Sequence, residues 1–139
     1  MAYWIKVSYE RNEYVVDLDR ISAFACTQNG KVTFWLPDSA IPIIINRQSN
    51  ADGYQQVMDY VQQVSFHSIA ASWIKVIYER NEYVVDLNRI SSFSYSQSGR
   101  ITFWLPNCAI PIIINKQSDP DSYEKILDYI KRKTGHAFL

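Results

Sequence analysis

The feature that most constrains the fold is an internal repeat. When the sequence is slid along itself until Trp4 meets Trp73, Tyr14 falls on Tyr83, Asp17 on Asp86, Trp35 on Trp104 and Pro42 on Pro111. Over residues 2–49 roughly three quarters of positions match their partners, a fixed-period signature that must be read before any local pattern. Over residues 50–64 only about a quarter match, among them Asp52, Tyr54, Asp59 and Tyr60. The chain is therefore divided into units 1–70 and 71–139. A unit of about 70 residues supplies a marginal core by itself. The two are expected to pack as one compact body with pseudo-two-fold symmetry, as an ancestral homodimer fused into one chain would.

Within a unit the alternation of residues 4–10, WIKVSYE, reads as a strand, and residues 14–18 as its return. A third strand covers 21–27, and Asn29-Gly30 is expected to make a type I′ hairpin turn. A fourth covers 31–36. Pro37-Asp38-Ser39 fits a type I turn, and 41–46 is a fifth strand with Pro42 near its start, where a missing N–H is tolerated. The period then changes: Tyr54, Val57, Met58 and Val61 recur at helical spacing, as do Tyr123, Ile126, Leu127 and Ile130. Asn50 and Asp119 are the expected N-caps. The fold class is thus α+β: a tandem duplication of a five-stranded antiparallel meander, each copy closed by a C-terminal helix.

The stretch TFWLPDSAIPIIIN, residues 33–46, returns as TFWLPNCAIPIIIN, residues 102–115. Its apolar run at 41–45 is nearly continuous, so both faces of that strand are expected to need cover. Alternation puts Ile5, Val7, Val32, Phe34 and Leu36 under the helix. Trp4, Lys6, Trp35 and Ile44, with Trp73, Lys75, Trp104 and Ile113 in the second copy, point the other way and form the candidate interaction surface.

Several functions are disfavoured on this evidence. Formal net charge is zero with both signs interspersed, which argues against duplex nucleic acid or an anionic membrane as a partner. No apolar run reaches the length of a membrane span, and no leader is read at the start of the sequence; the expected compartment is the cytoplasm. The two cysteines, Cys26 and Cys108, occupy non-equivalent positions and are expected to be free thiols. Neither recurs in the other copy or has a neighbouring histidine, so neither is read as a nucleophile. The two histidines, His67 and His136, are equivalent in the repeat, yet no ligand cluster surrounds either one. No glycine-rich phosphate loop or nucleophile elbow is present. Glu10, Glu13, Asp17, Lys6, Arg11 and Arg20 recur as a charged set, with Asp17 and Arg20 expected to tie a corner. No catalytic residue, metal or cofactor is assigned. The expected function is a non-enzymatic protein-interaction or assembly module whose partner is another protein or the chain itself. The alternative is a single-stranded nucleic-acid binder stacking bases on Trp4 and Trp35 beside Lys6 and Lys31.

Overall fold

The computed structural model describes residues 3–37, 39–66, 73–106, 108 and 110–138. The Pro37-Asp38-Ser39 turn, the connection between the halves and His67 fall wholly or partly outside them. The protein is α+β; the described residues form ten strands in antiparallel sheets and two α-helices. Strands β1 (Trp4–Tyr9), β2 (Asn12–Asp17), β3 (Ala23–Cys26), β4 (Lys31–Trp35) and β5 (Pro42–Asn46) lead to helix α1 (Ala51–Phe66). The order recurs as β6 (Trp73–Tyr78), β7 (Asn81–Asp86), β8 (Phe93–Tyr95), β9 (Ile101–Trp104), β10 (Pro111–Ile114) and helix α2 (Pro120–Thr134). Among the described residues no helix is long and apolar enough to cross a membrane.

The pairing departs from a continuous meander. After β2 the chain turns through a short 3-10 segment, Leu18–Arg20, and β3 does not return along β2. Instead β3 pairs with β7 of the other half, giving a five-stranded sheet in the order β5-β4-β3-β7-β6. The hairpin β1-β2 and the three strands β10-β9-β8 remain separate sheets. A two-fold relation would pair β2 with β8 as well as β3 with β7. Among the described strands only the second of these pairings is made.

Two turns show how local chemistry sets the path. The β1-β2 and β6-β7 hairpins close through Glu10-Arg11 and Glu79-Arg80, all four at positive φ (50°, 69°, 51° and 69°). Positive φ at both central residues is the type I′ geometry that suits strand twist, here occupied by residues with a Cβ penalty. The turn expected to be type I′, Asn29-Gly30, is a different one. The Gly30 N–H donates to the Thr27 carbonyl at 3.3 Å, and only Gly30 has positive φ, at 85°. That is the three-residue loop with glycine in the left-handed position.

The helices dock as their periodicity requires. Val57, Tyr60 and Val61 are buried on α1, as are Tyr123, Ile126, Tyr129 and Ile130 on α2. Asn50 Oδ1 accepts from the Gly53 N–H at 3.1 Å, and Asp119 Oδ1 from the Ser122 N–H at 3.3 Å. Each cap satisfies an otherwise orphaned donor. Tyr60 and Tyr129 explain why those positions match in an otherwise divergent helix. Tyr60 Oη donates to Asp19 Oδ1 at 2.7 Å, and Tyr129 Oη to Asn88 Oδ1 at 2.5 Å, fastening each helix to its 3-10 corner. Burial, then the bond to Asp19, raises the Tyr60 phenol above its ordinary value.

Replacing Glu10-Arg11 with Asn-Gly relieves two left-handed residues. The double variant is expected to gain about 1 kcal/mol of stability. Urea unfolding at low protein concentration would show the gain as a later midpoint with unchanged slope.

Candidate functional site

The seam between the halves defines the site by contrast. Ala23 lies opposite Val85, Phe24 opposite Val84, Ala25 opposite Tyr83 and Cys26 opposite Glu82. The Asp86 N–H donates to the Ser22 carbonyl at 3.0 Å, and Arg89 Nη2 donates to the Asp19 carbonyl at 2.6 Å. Side chains cross the seam in both directions. Ala23 and Ala25 of β3 belong to the second half's core, whereas Val84 of β7 belongs to the first half's. Trp73 packs on the first core too, 6.2 Å from Phe24 between ring centroids. Trp35 packs on the second, closing over Ser22, Ala23, Leu105, Pro106 and Cys108.

Strand β2 has the same sequence as β7, NEYVVD, and lacks such cover. Val15 is 65% exposed where its counterpart Val84 is 1% exposed. Trp4 is 63% exposed where Trp73 is half-buried. Because N–H groups alternate along a strand, the Asp86 bond to β3 fixes which groups face the seam. In β2 the corresponding outward groups are those of Glu13, Val15 and Asp17, an edge on which no described strand pairs. Beside it lies a groove of about 430 Å3, lined by Trp4, Tyr14, Val16, Leu36, Pro37 and Ser39 among others. It is the place that Trp35 fills in the second half.

The strand at the other end, β8, is also open. Its β3 counterpart is buried along its whole length, whereas in β8 Ser94 is exposed and Phe93 and Tyr95 are half-buried. Phe93 keeps ring partners equivalent to two of those of Phe24, Phe103 at 5.9 Å and Tyr129 at 6.3 Å. The position that Trp73 takes on Phe24 is not filled on Phe93 by any described ring.

The eight residues singled out from the sequence thus separate. Trp35 and Trp73 lie in the seam; Trp4 and Trp104, the latter 41% exposed, face outward. Ile44 and Ile113 are 39% and 36% exposed, so the isoleucine-rich strands are covered on one face only within the chain. That corrects the expectation of cover on both faces: Ile43, Ile45, Ile112 and Ile114 satisfy the core, and the alternating prolines and isoleucines face out. Lys6 and Lys75 each pair with a cross-strand carboxylate, Glu13 and Glu82, at 3.7 Å. Asp17 ties its corner, accepting the Tyr3 and Asp19 N–H groups at 2.9 and 3.0 Å, with Arg20 at 3.8 Å. Sequence reasoning missed Val15, Tyr14 and Phe93, whose importance comes from which copy of the strand is covered, and it read Leu36 only as a residue under the helix, whereas Leu36 is half-buried and lines the groove. Among the described residues no group of three potential metal ligands is found. No known protein family, curated protein or solved structure matches the chain.

Both cysteines are free. Burial pushes the Cys26 thiol up to about 11, with Glu82 adding to the shift and Lys75 opposing it. At about pH 8 roughly one molecule in a thousand would carry the thiolate. Cys26 is therefore expected to resist iodoacetamide in the native protein at that pH and to react once urea unfolds the seam, as mass spectrometry of the peptides would show. The two valines supply an internal control. Val84→Ala is expected to cost about 1.5–3 kcal/mol by loss of buried apolar surface. Val15→Ala, in the same local sequence, should stay within about 0.5 kcal/mol in dilute protein. Urea denaturation of the two variants would measure the difference.

Proposed function

We propose that the chain is a non-enzymatic interaction and assembly module that works by strand addition at the open edge of β2. The observation that carries this reading is the contrast between two identical strands. In β7 the edge is paired and Val84 is sealed in a core; in β2 the same residues stand open beside an apolar groove. Main-chain bonds would hold an added strand, and the groove would take one of its side chains. An edge that is uncovered and carries an exposed valine and tryptophan is otherwise a liability for a soluble chain. On this reading the chain arose by duplication of a five-stranded unit with its helix, and the halves keep one kind of contact surface.

Pairing of Lys6 with Glu13 and of Lys75 with Glu82 supports a protein partner over single-stranded nucleic acid, because the lysines two residues along from Trp4 and Trp73 already face a carboxylate. The experiment uses the wild-type protein and Val15→Lys as immobilised baits in extract from the cells the protein comes from. The wild type is expected to recover protein that the variant loses. Recovery of the same set by both would overturn the reading. Saturable quenching of tryptophan fluorescence by an oligonucleotide at low salt would replace it with the nucleic-acid reading.

A further inference from the structure

The seam inside the chain also specifies an occupant for the open edge. We propose that β2 pairs with β8 of a second copy of this chain, so that copies join head to tail in the geometry of β3 on β7. The inference rests on the assembly reading above and names its partner.

Two observations converge on it. First, the two strands that each keep one edge without a described partner strand, β2 and β8, are the repeat counterparts of the two that pair in the middle, β7 and β3. The register follows from the inner one: Val16 opposite Ser92, Val15 opposite Phe93, Tyr14 opposite Ser94 and Glu13 opposite Tyr95. Second, each open end lacks what the other would bring. No described ring takes on Phe93 the place that Trp73 takes on Phe24, and Trp4 stands ready as that ring. The groove at Leu36, Pro37 and Ser39 corresponds to the site that Trp35 closes at Leu105, Pro106 and Cys108. The neighbour's exposed Trp104 is the counterpart of Trp35. The resulting contact is heterologous: different surfaces meet, so it does not saturate in a single chain and continues into a ring or an open row of copies.

The outer seam differs from the inner one in a way that bears on its strength. Ala23, Ala25 and Cys26 are replaced by Ser92, Ser94 and Tyr95. The serines keep the size class needed opposite Val16 and Tyr14 while making the free strand compatible with water. The outer contact is accordingly weaker than the inner one and reversible with concentration.

The test is sedimentation equilibrium of the purified full chain over a series reaching roughly 0.2 mM, the range in which weak specific contacts populate. Wild-type weight-average mass is expected to rise from 16.2 kDa to twice that or more. Val15→Lys blocks the β2 end and Ser94→Arg the β8 end. Both residues are exposed in the isolated chain, and far-UV circular dichroism with urea midpoints verifies that each variant folds. Each alone should lose association at least about tenfold. Mixed in equal amounts, they should form a one-to-one dimer and stop there, since one compatible pair of ends remains. A wild type that stays monomeric throughout overturns the proposal, as does a mixture that fails to dimerise, or variants that associate as the wild type does. The bait comparison separates the two levels. If the purified chain is monomeric while wild-type bait still captures protein that Val15→Lys loses, the edge reading stands and the second copy is ruled out as its occupant. If neither occurs, both fall.

Discussion

The structure depends on the ladder between β3 and β7. It is the pairing that brings strands of both halves into one five-stranded sheet, and side chains pass across it into the opposite core. Ala23 and Ala25 are small because they enter a core already filled by Ile101, Phe103 and the α2 stripe. Val84 and Trp73 complete a core that lies mainly in the first half. Neither core is closed by residues of its own half alone. This fits the general limit that a single core of about 70 residues is marginal. It also accounts for the composition of the seam, where a buried strand must be apolar on both faces.

Away from the seam, stability follows local rules. The 3-10 corners are tied by Asp17 and Asp86, which accept the N–H groups of Asp19 and Asn88 at 3.0 Å, and each corner is fastened to its helix by a tyrosine. Those links account for side chains that match between two helices whose surfaces otherwise differ. Exposed ion pairs such as Lys6 with Glu13 add little to stability, but they remove free charge from the outer face.

Much of the architecture was legible from residue order. Alternation placed Ile5, Val7, Val32 and Phe34 in the core, and helical spacing placed Val57, Val61, Ile126 and Ile130 there too. Partner choice was not legible. The face pattern of β3 is satisfied equally by its own β2 or by β7, since an antiparallel ladder requires only a suitable edge. The I′ turns at Glu10-Arg11 and Glu79-Arg80 were hidden because the residues are atypical for positive φ. The turn at Gly30 was misassigned because Asn29-Gly30 has the composition of one loop and the hydrogen bonding of another. The candidate site was the least legible part. Val15 and Val84 have the same neighbours in sequence, and only tertiary structure separates a core valine from an edge valine.

That β3 and β7 lie on one chain has a consequence for the small side chains of β3. Residues Phe66 and Trp73 are separated by a short segment, so β3 meets β7 at the high effective concentration of an intramolecular encounter, on the millimolar scale typical of short tethers. A strand with that advantage needs no water-compatible free state, and alanines and a buried thiol suffice. A strand whose edge must wait in solvent has no tether to help it. The difference between AFAC and SFSY in the two copies is thus a difference between a unimolecular and a solvent-facing strand, recorded in a handful of side chains.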